Sequence, residues 1–150
     1  MDETLSELRA TIAAASTQLR AVSESESELR PRPGKWSRKE LLGHLLDSAS
    51  NNHQRFVRAQ LDDQLAFPGY AQEAWVQTQN YQGEPWSQLV DMWTAYNLHL
   101  LHVMANARAR ALENTCTVAG GEPVSLEFLM RDYVEHLKHH LAQLLPRPGE

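Results

Sequence analysis

Apolar residues return every three or four positions in four long stretches of the chain, the period of a helix with one face turned inward. In the first, Leu5, Leu8, Ile12, Ala15, Leu19 and Val22 set the rhythm, which predicts a helix over residues 4–22. The rhythm is lost in SESESELRPRPGK, where Pro31, Pro33 and Gly34 make a connector with no helix through it. The second helix announces its start. In WSRKEL, Ser37 is an N-cap with Glu40 three residues on, a capping box, and Trp36 and Leu41 stand at the two positions of a hydrophobic staple. From there the pattern carries to about residue 61.

The next two dozen residues, DDQLAFPGYAQEAWVQTQNYQGEP, are too many for a plain loop, so a short helix is expected around residues 71–79. Pro85 suits the first turn of a third long helix, with Leu89, Trp93, Tyr96, Leu100 and Val103 on one stripe, continuing towards Leu112. ENTCTVAGGEPV reads as extended or irregular, with a turn at Gly120 and Gly121. Ser125 is an N-cap for the fourth helix and Glu127 suits its dipole, while Pro146 and Pro148 forbid its continuation. Four amphipathic helices without a convincing strand predict an all-α fold, a four-helix bundle with long connections, formed as one domain over residues 1–150.

Composition narrows the function. A formal charge of −5 argues against a nucleic-acid binder, which needs a basic patch against phosphates. No apolar run approaches a membrane span, and the first ten residues lack a signal-peptide layout. The single cysteine, Cys116, has no partner for an internal disulfide and no nearby histidine to activate it, so it reads as a structural thiol. Together these predict a cytoplasmic protein that acts on neither nucleic acid nor membrane.

Chemistry concentrates in EHLKHHLAQ, which holds three of the seven histidines. His136 and His140 are four apart and share a helix face, a common way of offering two nitrogens to one metal. With His136 at zero and about 100° per residue, the apolar residues of this helix fill an arc from about 20° to about 140°. His140 falls inside the arc near 40°, His136 lies at its edge, and His139 falls outside near −60°. A catalytic metal site needs a third ligand, for which His44, His53, His99 and His102 are candidates. His44 shares a stripe with Ser48, Asn51 and Arg55, but that stripe lies opposite the main apolar arc of its helix, which by a core argument alone puts His44 in solvent. His53 lies among Leu42, Leu46 and Ala49 and reads as a packing or interface residue, whereas His99 and His102 read as surface or subunit-contact residues.

GKWSRKELLGHLLDSASNNHQRFVRAQ, YNLHLLHV and DYVEHLKHHLAQL together resemble the DinB/YfiT-like family of metal-dependent enzymes, the histidine of GHLLDS and the HxxHH near the end being the diagnostic parts. The resemblance implies a four-helix bundle with one divalent metal on His44, His136 and His140, His139 not being a ligand. Zn, Ni, Fe or Mn would suit such a site. Family members include hydrolases, isomerases and transferases of thiol cofactors, so the resemblance implies a metal-dependent hydrolase or a thiol-cofactor-dependent transferase acting on a small molecule, with a low-molecular-weight thiol as partner and a homodimer as assembly. The alternative is a non-catalytic metal-binding or interaction bundle in a stress response. Around the site, Asp47, Ser48, Asn51 and Arg55 are candidate substrate-pocket residues, and Arg55 suits a bidentate pair with a substrate carboxylate. Gln143 shares the face of His136 and is placed to hydrogen-bond a ligand histidine from behind. No carboxylate stands out as a general base.

Overall fold

The computed structural model, described here for residues 1–145, begins three of the long helices at the expected points, behind Ser37, Pro85 and Ser125, whereas the first starts at Asp2, two residues before its expected start and without a side-chain cap. The chain runs α1 (Asp2–Ala21), α2 (Glu24–Glu28), α3 (Arg38–Ala59), β1 (Gln64–Phe67), α4 (Gln72–Gln79), α5 (Trp86–Ala105), β2 (Thr115–Val118), β3 (Val124–Ser125) and α6 (Leu126–Leu144), with short 3-10 turns at Tyr81–Gly83 and Ala109–Glu113. At α3 the capping box is complete: Ser37 Oγ accepts from the Glu40 amide and the Glu40 carboxylate accepts from the Ser37 amide. Ser37→Ala removes one of these bonds and is expected to cost about 1 kcal/mol; an unchanged denaturation midpoint would remove the cap from the stability of α3.

The four long helices α1, α3, α5 and α6 form the bundle, with α3 packed against α5, α6 and α4 at once. Its core includes Leu8 and Leu19 from α1, Leu42 and Leu45 from α3, Leu89 and Trp93 from α5, and Met130 and Leu137 from α6. Burial of α3 on several sides corrects the helix-wheel expectation for His44. The supposedly solvated stripe is covered, with His44 1%, Asp47 2% and Ser48 4% exposed.

Two further expectations are corrected. The connector after α1 does contain a short helix, α2, started by its own capping box between Ser23 and Glu26. Tertiary contacts hold it. Glu24 and Glu28 flank the buried Lys39 ammonium of α3, and Glu24 also accepts from the Trp86 amide at the start of α5. The bundle also carries a small sheet in the order β1-β2-β3. β1 pairs parallel with β2 in the register Leu65 with Cys116, and β2 pairs antiparallel with β3 in the register Cys116 with Val124. Cys116 is buried there, and burial pushes its thiol pKa up, as befits an inert structural residue.

Smaller differences follow local chemistry. α5 stops at Ala105, short of Leu112, and the Asn106 amide donates to His102 O. α4 begins one residue after its expected start and ends on Asn80, whose φ of 50° is left-handed, a conformation asparagine tolerates. The expected turn lies at Gly120, φ 70°, closed by the Gly121 amide on Val118 O. The stop expected at Pro146 and Pro148 lies outside the described residues; within them, α6 ends as the Leu145 amide donates to Leu141 O.

Candidate metal centre

Ser125 fixes the start of α6 by accepting from the Phe128 amide. Leu126, Leu129, Met130, Tyr133, Leu137, Leu141 and Leu144 then pack inward at three- and four-residue intervals and set the rotation of the helix. That rotation leaves His136 and His140 half-buried at the edge of the packed face and His139 exposed. On α3, Leu42, Leu45 and Leu46 anchor one side in the core and carry His44 round towards α6.

The three rings converge. One imidazole nitrogen from each of His44, His136 and His140 lies within 4.8 Å of those from the other two. Ring centres are 5.4 Å apart for His44 and His136, 4.9 Å for His44 and His140, and 4.5 Å for His136 and His140. Burial, followed by the neighbouring His140 and His136, pushes the pKa of His44 down to about 4. Burial also lowers that of His136, with Asp132 four residues earlier pulling the other way. His44 is therefore neutral at neutral pH, with a lone pair free for a ligand bond.

The donor set fits a divalent ion. Nδ1 of His44 is buried without a hydrogen-bond partner among the described residues, a cost that a metal bond or a bound water would offset. Gln143 stands behind the cluster, 3.0 Å from His140 Nδ1 through Oε1 and 3.1 Å from His139 Nε2 through Nε2. His140 then donates from Nδ1 and presents Nε2 to the cluster, the outer support common for ligating histidines. His139 is thereby tied to the amide of Gln143 rather than to the three-ring cluster. Trp36, the staple residue before α3, packs its ring 5.3 Å from that of His44.

A cleft of about 240 Å³ opens beside His136. Of the candidate pocket residues, Ser48 and Arg55 line it. Asn51 spends its side-chain amide on Asp47 O, one turn back in its own helix. Asp47 lines a different cavity, its Oδ1 accepting from Tyr81 Oη at 2.6 Å and Gln79 Nε2 at 2.7 Å, and burial raises its pKa. Tyr70 and Asp132 also line the His136 cleft and were missed in the sequence. Asp132 had a usable signal, lying four residues before His136 on the same face, whereas Tyr70 comes from the β1–α4 loop with no pattern to mark it. His53 sits half-buried on another side of α3, with Nδ1 3.0 Å from Tyr96 Oη and its ring 5.0 Å from exposed His99.

Residues 4–144 match the sequence pattern of the DinB superfamily. The chain belongs to that family. Among solved structures it is similar to YfiT from Bacillus subtilis, described as a probable metal-dependent hydrolase with an unusual four-helix bundle topology, at 19% identity and a TM-score of 0.83 over 95% of this chain and 82% of that one. A mycothiol-dependent maleylpyruvate isomerase aligns at 18% identity and a TM-score of 0.73 over 94% of this chain, which spans only 60% of the isomerase. A DinB-like protein, YjoA, also from Bacillus subtilis, aligns at 15% identity and a TM-score of 0.67, over 95% of this chain and 86% of that one. These superpositions show a shared bundle fold. No curated protein sequence matches the chain. Among the described residues, no helix is long and apolar enough to cross a membrane.

Proposed function

We propose that the protein is a metal-dependent enzyme in which His44, His136 and His140 hold one divalent ion, acting as a hydrolase or as a transferase that uses a low-molecular-weight thiol. The observation that carries this reading is the convergence of three imidazoles, with a partnerless nitrogen on the buried His44, beside a cleft. Three protein ligands are the number typical of catalytic centres, which keep a further position for water or substrate. The set contains no carboxylate, so a bound ion would retain its full charge. When bound, such an ion lowers the pKa of a water or thiol and so supplies a nucleophile near neutral pH.

The chain's own residues supply position and environment. Gln143 fixes the tautomer of His140, and Trp36 shields His44 from water. Ser48 and Arg55, on the cleft wall with His136, are placed to orient a small-molecule substrate. The family resemblance supports both chemistries, since one similar structure is described as a probable hydrolase and another as mycothiol-dependent. Imidazole ligands suit Zn, Ni and Fe, and Mn remains in the set to be tried.

The test loads the protein with each of these metals and follows turnover of ester and amide substrates and of 1-chloro-2,4-dinitrobenzene with mycothiol, bacillithiol or glutathione. Turnover that chelation removes and metal restores supports the proposal. Bound metal without turnover of any of these substrates would instead favour the non-catalytic bundle.

A further inference from the structure

Two enclosed cations of α3, Lys39 and Arg55, are treated very differently. Lys39 is 2% exposed and is met by two carboxylates, those of Glu24 and Glu28. Arg55 is half-buried, and among the described residues it takes part in no ion pair. Its Nε is buried and makes no hydrogen bond among the described residues, and its Nη1 makes one long contact, 3.4 Å, with Asn52 Oδ1. Burial works against its charge, and the ring of Phe67, 5.3 Å from the guanidinium carbon, returns only part of that cost. A half-buried guanidinium left with unused donors is costly unless something else meets it.

Arg55 shares the cleft beside the three histidines, since it and His136 both line it. Asp132, four residues before His136, lines the same cleft, as does Tyr70. The cavity therefore carries one carboxylate as well as the cationic fork of Arg55. With one carboxylate already present, a second anion of single charge is accommodated more readily than a dianion such as phosphate. The guanidinium fork matches a planar carboxylate through two parallel hydrogen bonds.

The geometry points to a substrate that carries a carboxylate, bound by Arg55, while its reacting group lies at the three histidines. This rests on the metal-centre reading above and adds the charge and polarity of the substrate. Arg55 is assigned as a specificity-determining residue.

The experiment uses the zinc-loaded protein and ligands with one common metal-binding head. Acetohydroxamate is compared by calorimetry with the monohydroxamates of succinate, glutarate and adipate, which add a carboxylate at increasing reach, and with inorganic phosphate. At least one carboxylate-bearing ligand is expected to bind ten- to a hundredfold more tightly than acetohydroxamate, the range of a charge-assisted hydrogen-bonded pair. In Arg55→Gln that ratio should fall to near one, and Arg55→Lys should restore only part of it. Ratios near one for every chain length in the natural sequence would overturn the inference, whether or not the variants fold. Phosphate binding more tightly than all the carboxylates would overturn the choice of anion. Zinc content is measured on the same samples. A protein with no zinc sinks the metal-centre reading, and this inference with it, whereas one equivalent of zinc without a carboxylate preference sinks this inference alone.

Discussion

His140→Ala protein should retain no stoichiometric metal after dialysis, while His139→Ala protein should keep one equivalent. The two histidines are neighbours in sequence, so composition and net charge change alike in both variants. Only their placement differs. His140 has its ring centre 4.9 Å from that of His44 and 4.5 Å from that of His136, whereas His139 is exposed and bonded to Gln143. Losing one of three ligands leaves two imidazoles, too few to hold an ion against dialysis. Gln143→Ala removes the acceptor behind His140, together with the bond to the non-ligating His139, and should weaken binding about 10- to 100-fold. Elemental analysis of the three variants decides the matter, and equal metal loss in His139→Ala and His140→Ala would break the ligand assignment.

Gly43→Ala should destabilise the fold by about 1–5 kcal/mol. Helix propensity alone predicts the opposite, a gain of about 1 kcal/mol for replacing glycine inside a helix. Sterics should win here. A Cβ at residue 43 would lie 2.5 Å from Cε2 of Tyr81 and closer still to its Cγ and Cδ2, so the buried ring must move. Moving it also strips the buried Asp47 of its 2.6 Å bond from Tyr81 Oη, when Asp47 Oδ2 already has no partner among the described residues. Overpacking costs about 1–3 kcal/mol, and the lost hydrogen bond to the Asp47 carboxyl, whose Oδ1 keeps only Gln79 Nε2, about 1–3 kcal/mol more. A chemical denaturation midpoint at or above that of the natural sequence would show that the ring yields freely and that propensity governs the site.

Much of the bundle was legible because helix signals are local. The capping box at Ser37, the proline before Trp86 and the cap at Ser125 each act within four residues, and all three fall where the helices start. The His136 and His140 pair was legible for the same reason, as a four-residue spacing on a strongly amphipathic helix. What escaped depends on residues far apart in sequence. β1 gains its place from β2, about fifty residues later, so a four-residue strand carries little signal by itself. α2 does carry a capping box in its sequence, yet its five residues are held by Lys39 and Trp86 on other helices. The placement of His44 was the hardest to read. A helix wheel assumes one buried face, and α3 is covered by α5 on one side and by α6 and α4 on others. The family resemblance put His44 beside the other two histidines when periodicity alone pointed away from them.

The order of the three histidines along the chain bears on how the protein is made. His44 emerges on the third helix, and its companions follow only on α6, after α5 and the sheet strands. A nascent chain that has made α1 through α5 offers an ion one of the three rings and must bring those helices together by apolar packing and by the Glu24–Lys39 contact. An ion held by all three rings would therefore find its site complete only after α6 has been made. It would tie α3 to α6 once both exist, but it would have no part in placing the earlier helices against one another.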